Sequence, residues 1–192
     1  INVLHLLLPA GEKWFVHVYQ QALPLITDDQ LRADVKGFMG QEAVHSRAHA
    51  GVLDHLQAQG LDPSPFTDRM DWLFERMLGD RPFGRSLPRR LQRHWLSQRL
   101  AIIAAVEHYT AVLGDWIVTD SAGLDRAGAD PVMVDLLRWH GAEEVEHRSV
   151  AFDLFQHLSG SYLRRVETMV VSAVALFFLF VTGTRFFMAH DP

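Results

Sequence analysis

Apolar residues recur along this chain at spacings of three and four, the period that gives a helix one buried face. No run alternates apolar and polar residues around an Asn-Gly or Asp-Gly turn, so no strand is expected. Turn residues interrupt the helical pattern in 60–65, 79–82, 121–131 and 159–161. The pattern predicts a helix over 10–23 that stops at Pro24. A second runs over 27–59, where Thr27-Asp28-Asp29-Gln30 reads as a capping box. A short helix over 67–78 lies in a crossover, and a third long helix covers 89–119. The fourth opens with Asp130 as N-cap and Pro131 at its first position, and ends near Leu158. A fifth spans 162–188. Two helical hairpins joined by a long crossover predict an all-α, ferritin-like four-helix bundle with an added apolar C-terminal helix. Residues 1–160 are expected to form the bundle and 161–192 the added helix.

Acids and imidazoles break the apolar faces at matched places. Glu42 and His45 form one Glu-x-x-His, and Glu144 and His147 form another. That spacing puts a carboxylate and an imidazole one turn apart on one helix face. With eight Glu and eleven His in 192 residues, chance supplies about half of one such match. Both matches here lie mid-helix, and each follows a helix that carries an embedded glutamate, Glu12 or Glu107. Glu107 is the only acid or base apart from His108 in the run from Leu100 to Gly114. A carboxylate buried there is costly unless a positive group meets it. Glu42 lies 15 residues after Thr27, and Glu144 lies 14 after Asp130. Each is therefore ~20 Å along its helix. Parallel packing of these two helices would bring the motifs level, and the two halves read as an internal repeat.

The order Glu, Glu-x-x-His, Glu, Glu-x-x-His is that of di-iron and di-manganese carboxylate bundles. The expected metal ligands are therefore Glu12, Glu42, His45, Glu107, Glu144 and His147. Four carboxylates balance two divalent cations, and two neutral imidazoles complete the set. Oxygen and imidazole donors without thiolate suit Fe, with Mn or Zn next. His49 and His140 share the ligand faces and are candidate extra ligands or supporting partners. His108 neighbours Glu107 but points ~100° away from it. Glu143 and His140 are candidates for moving a proton.

Composition narrows the choice of chemistry. The chain has no cysteine, which excludes disulfides, thiolate catalysis and iron–sulfur clusters. Net charge is −5 with no basic block, so no nucleic-acid partner is expected. The chain starts at Ile1, so residues upstream are expected, and Asn2 to Leu8 carries no signal-peptide pattern. Residues 168–184 contain no charge and are framed by Arg164, Arg165 and Arg185. This segment is expected to pack on the bundle, to form a homodimer, or to touch a membrane through 164–188. The expected location is the cytoplasm, peripheral to the inner membrane.

Pro9-Ala-Gly-Glu12, the stretch from Gly37 to His49, Val106-Glu-His-Tyr-Thr110 and the stretch from Trp139 to Asp153 resemble a bacterial family. It is that of the predicted metal-dependent hydrolases of ferritin-like type. The resemblance covers nearly the whole chain. It implies a di-metal site at the six residues named above, and an apolar C-terminal helix is typical of it.

Three kinds of chemistry fit such a site. We rank first an O2-dependent oxidase or oxygenase that acts on a small apolar molecule at two irons. A hydrolase using a metal-activated bridging water comes second. The third is a metal-handling or oxidant-scavenging bundle that is not an enzyme.

Overall fold

The computed structural model describes residues 2–120 and 122–190. The start at Ile1, the turn position Ser121 and the last two residues lie outside the described residues. All regular structure among the described residues is helical: α1 Val3–Ala22, α2 Asp29–Ala58, α3 Ser64–Asp71, α4 Arg89–Asp120, α5 Ala122–Arg126, α6 Pro131–Leu158 and α7 Tyr162–His190. One π-helical turn, Trp72–Met77, extends α3.

Helix α1 starts seven residues before the expected position and runs through Pro9. Packing outweighs the proline there. Val3, Leu6 and Leu7 are buried in a cluster that also takes in Phe66, Met70 and Phe180. The cap of α2 is Asp28, not Thr27. The Asp28 side chain accepts from Leu31 N–H at 2.9 Å. Thr27 N–H instead donates to His157 Nε2 at 3.1 Å, which pins the α1–α2 turn to the end of α6. Asp130 caps α6 as expected, accepting from Val132 N–H at 2.8 Å and Met133 N–H at 3.2 Å.

Helices α1, α2, α6 and α4 pack in a ring, each against the next. Neighbours run antiparallel throughout. His5 meets His49 and Pro9 meets Ser46 between α1 and α2. Between α2 and α6, Glu42 faces His147 and His49 faces His140. Thr110 meets Glu144 between α4 and α6, and Gln21 meets Arg99 between α1 and α4. The parallel packing expected for α2 and α6 is therefore incorrect. The two motifs are still level because each sits at the midpoint of its helix, where depth is the same from either end.

Two glycines set how close α4 and α6 come. A Cβ on Gly114 would stand 2.6 Å from Gly141 O, and one on Gly141 would stand 3.0 Å from Gly114. Neither has room for a side chain, so the two backbones touch one turn from the cluster of acids. The crossover is tied down separately. Buried Arg99 bonds Asp80 at 2.7 Å and Gln21 at 2.9 Å. Trp14 and Trp95 donate their indole N–H groups to Leu78 O and Gly79 O.

Helix α7 lies across α4 and α1. Thr168, Ser172 and Gly183 form its buried edge. At Gly183 a Cβ would come within 2.6 Å of Val3, so α7 meets α1 at close range. Val170, Val174, Phe177 and Phe178 point outward and are exposed. By length and composition both α4 and α7 are apolar enough to cross a membrane; the apolar stretch of α4 is the more buried of the two.

Candidate metal centre

The six expected ligands all lie inside the ring of four helices and are all buried. Glu12 comes from α1, Glu42 and His45 from α2, Glu107 from α4, and Glu144 and His147 from α6. His49 and His140 are buried beside them.

The ligand atoms fall into two groups. Glu42, His45, Glu144 and His147 offer atoms within 4.8 Å of one another. Glu12, His49 and His140 form a second group on the same criterion. That spacing is about twice a metal–ligand bond of ~2.1 Å, so each group spans the room one ion needs. Glu107 Oε2 adjoins the first group, 3.4 Å from His147 Nδ1. The pairing differs from one ion per hairpin. The first group mixes both Glu-x-x-His motifs, and the second joins Glu12 to the two additional histidines.

The hydrogen-bond partners orient the imidazoles. His45 Nε2–H donates to Glu143 Oε2 at 2.6 Å. A carboxylate acceptor there fixes the proton on Nε2 and leaves Nδ1 as a lone pair. That Nδ1 lies 3.7 Å from Glu42 Oε1 and 3.8 Å from Glu144 Oε1. Glu143, half-buried, thus stands behind His45 rather than among the clustered atoms. His140 Nε2 contacts Glu144 Oε1 at 2.8 Å and lies 3.7 Å from Glu12 Oε1. Its Nδ1 meets His49 Nε2 at 2.5 Å, and His49 Nδ1 meets His5 Nδ1 at 2.7 Å. Thr110 Oγ1–H donates to Glu144 Oε2 at 2.5 Å.

His5 is fully buried at the end of this file of imidazoles. The helical pattern of the sequence alone assigns it no role. A signal was present: His5 lies seven residues before Glu12, and His49 lies seven after Glu42. Seven residues are two turns, and α1 and α2 are antiparallel, so both reach the same level. The structure does not bring His108 to the cluster. It is exposed on the outer side of α4, as its ~100° offset from Glu107 requires.

A family model described as "Predicted metal-dependent hydrolase" matches residues 1–192. The chain belongs to that family. No curated protein and no solved structure matches it significantly. The family's description speaks for hydrolysis, so the ranking that put O2 chemistry first finds no support in it.

The electrostatics of this family member's core call for cations. Burial, followed by the charges of Glu42 and Glu144, pushes Glu12 well above the usual carboxylate range. Burial and the charges of Glu144, Glu42 and Glu12 do the same to Glu107. Glu42 is pushed up to about 7 by burial, against the pull of His45. Burial also works on Glu144, but the hydrogen bond and charge of His140 outweigh it and hold this carboxyl below its ordinary value. Burial lowers His5 and His147 to about 4 and His49 to about 2. These imidazoles are neutral at pH 7, the state in which they bind metal.

Proposed function

We propose that this chain is a metal-dependent hydrolase with a ferritin-like centre of two divalent ions, Fe, Mn or Zn. One observation carries the metal reading. Among the described residues eleven buried side-chain atoms have no hydrogen-bond partner, and eight of them belong to the expected ligands: both oxygens of Glu12 and Glu42, Glu107 Oε2, His45 Nδ1 and both nitrogens of His147; the other three are His5 Nε2, Tyr19 Oη and Arg99 Nε. Buried polar atoms are nearly always satisfied, and buried carboxylates are paired or coordinate metals. Those eight atoms belong to five of the six ligands read from the sequence, and the oxygens of the sixth, Glu144, are bonded by His140 and Thr110. A donor set of oxygen and imidazole suits hard or borderline divalent ions.

When bound, the ions would polarise a substrate carbonyl and lower the pKa of a water. The rest falls to the chain's own residues. Glu143 holds the proton on His45 Nε2 and so turns Nδ1 inward. Glu144 is kept ionised by His140 and Thr110. His140 hydrogen-bonds both Glu144 and His49, so a proton that the ionised Glu144 takes up from a water can pass to His140 and along the file toward His5. Hydrolysis joins the water oxygen to the carbonyl carbon and breaks the bond to the leaving group, which takes up a proton. The substrate is small and apolar, and the exposed strip of α7 within 164–188 meets a lipid surface that supplies it.

The test is hydrolysis of p-nitrophenyl esters by the purified protein. Activity that is lost on chelation and restored by one divalent ion supports the reading. Activity indifferent to chelation contradicts it.

A second reading, O2-dependent oxidation, is favoured by the apolar cavity that reaches the carboxylates. Such a lining excludes water, which suits oxidative chemistry better than hydrolysis. Oxygen uptake by protein loaded with ferrous iron, with no ester cleavage under any metal, would favour it.

A further inference from the structure

A cavity of about 240 Å³ runs between α1, the α3 turn, α4 and α7. Glu12, Glu42, Glu107 and Glu144 are part of its lining. Leu8, Phe74, Met77, Val106 and Leu179 are among the apolar side chains of its walls. The four carboxylates are the charged groups of the lining; Tyr109, Thr110 and Ser172 add hydroxyls, and most of the rest is hydrocarbon. Apolar cavities of ~150 Å³ stay dry and take up benzene, so a larger one of this lining is a ligand site rather than a water site.

Its shape follows from α7. Val171, Ser172, Ala175, Leu176, Leu179 and Phe180 line it. They form one stripe of the helix, nine residues from end to end, or ~13 Å. Val171 and Ala175 line the cavity and are also exposed, so its mouth opens on the apolar outer side of α7. A cavity with buried carboxylates in its lining and a mouth beside an apolar surface fits an amphiphile lying head inward.

We infer that this cavity binds the unbranched aliphatic chain of the substrate, with the reacting polar group at the carboxylates and the chain running out along α7. At ~30 Å³ per first-row group, the share a water takes in the liquid, the volume holds about eight carbons. The inference rests on the site described above for the position of the head group, but chain binding needs no turnover.

The experiment is calorimetric titration of the protein as purified with n-alcohols from butanol to dodecanol. Affinity should rise about fourfold per methylene, the tenfold-per-1.4 kcal/mol equivalent of burying CH2, up to about octanol and then level off. Cyclooctanol should bind more weakly than octanol. Ala175→Trp and Val171→Trp, both at exposed positions on α7, should weaken octanol at least tenfold while metal content stays at the wild-type level. Affinity independent of chain length, or octanol binding unchanged in both variants, would overturn the inference. Loss of metal-dependent ester cleavage with chain-length selectivity intact would instead remove the hydrolase reading and leave the chain site standing.

Discussion

The inside of the four-helix ring and the outside of α7 invert the usual distribution of residues. The ring buries four glutamates and five histidines, with Glu42 and His45 at 0% exposure. Helix α7 carries no charge over 168–184, yet leaves Phe177 64% exposed. In the ring, charge enters hydrocarbon surroundings because carboxylates and imidazoles converge on one another with lone pairs to spare. On α7 Thr168, Ser172 and Gly183 are buried and Leu179, Phe180, Phe186 and Phe187 pack against α1 and α3, while Val170, Val174, Phe177 and Phe178 face outward. The difference teaches that burial here is set by chemistry at one point and by surface at another. A divalent metal fits the first region, and we propose a lipid surface as the partner of the second.

The comparison breaks most completely at Glu107. Glu107→Ala removes the one carboxylate that α4 supplies, and elemental analysis should show most bound metal gone. A full metal complement in this variant would show that the orphaned atoms are not ligands. Next in size is the glycine contact. Gly141→Ala places a methyl against the Gly114 backbone and should cost about 1–3 kcal/mol through forced separation of α4 and α6. Thermal melts read that loss, and metal content should fall with it because Glu107, Glu144 and His147 ride on the same two helices.

Much of this was legible in the sequence. The two Glu-x-x-His motifs and Glu107 announced themselves as charge in apolar runs, and Asp130-Pro131 marked a helix start without ambiguity. Other features were not legible, each for a physical reason. Helix α1 overrides Pro9 because Val3, Leu6 and Leu7 find apolar partners on α3 and α7, which local sequence does not encode. Thr27 and Asp28 are both good caps, and only the distant His157 decides between them. His5 was missed because its role depends on the relative direction of α1 and α2. The grouping of Glu12 with His49 and His140 depends on the antiparallel contact of α2 and α6, and helix spacing alone is silent on it.

pH sharpens the comparison within the ring. In metal-free protein Glu12, Glu42 and Glu107 hold protons in the folded state that they lose on unfolding above ~4.5. The folded state then binds more protons, so stability falls as pH rises. His5, His49 and His147 act in the opposite sense, but only below ~6.5, where the unfolded imidazoles take up protons. Between pH 6.5 and 8 the carboxylates act together with His45, whose burial is outweighed by the hydrogen bond and charge of Glu42 so that it too holds a proton in the folded state. The melting temperature of metal-free protein should therefore drop across that window. Metal-loaded protein should not follow, because the cation replaces the protons. Parallel melting curves for the two forms would contradict this.

The smallest effect on stability belongs to α7. Phe177→Glu is an exposed change and should alter stability by no more than ~0.5 kcal/mol. Co-sedimentation with anionic phospholipid vesicles should nevertheless fall severalfold. Unchanged vesicle binding together with a halved mass in sedimentation would assign this face to a second copy of the chain instead.

The central claim is that the buried acids and imidazoles are a metal centre, and metal content per chain is its most direct test. Protein purified without added metal and then incubated with ferrous, manganous or zinc ions should retain about two ions per chain after desalting. No retained metal under any of these conditions would contradict the account.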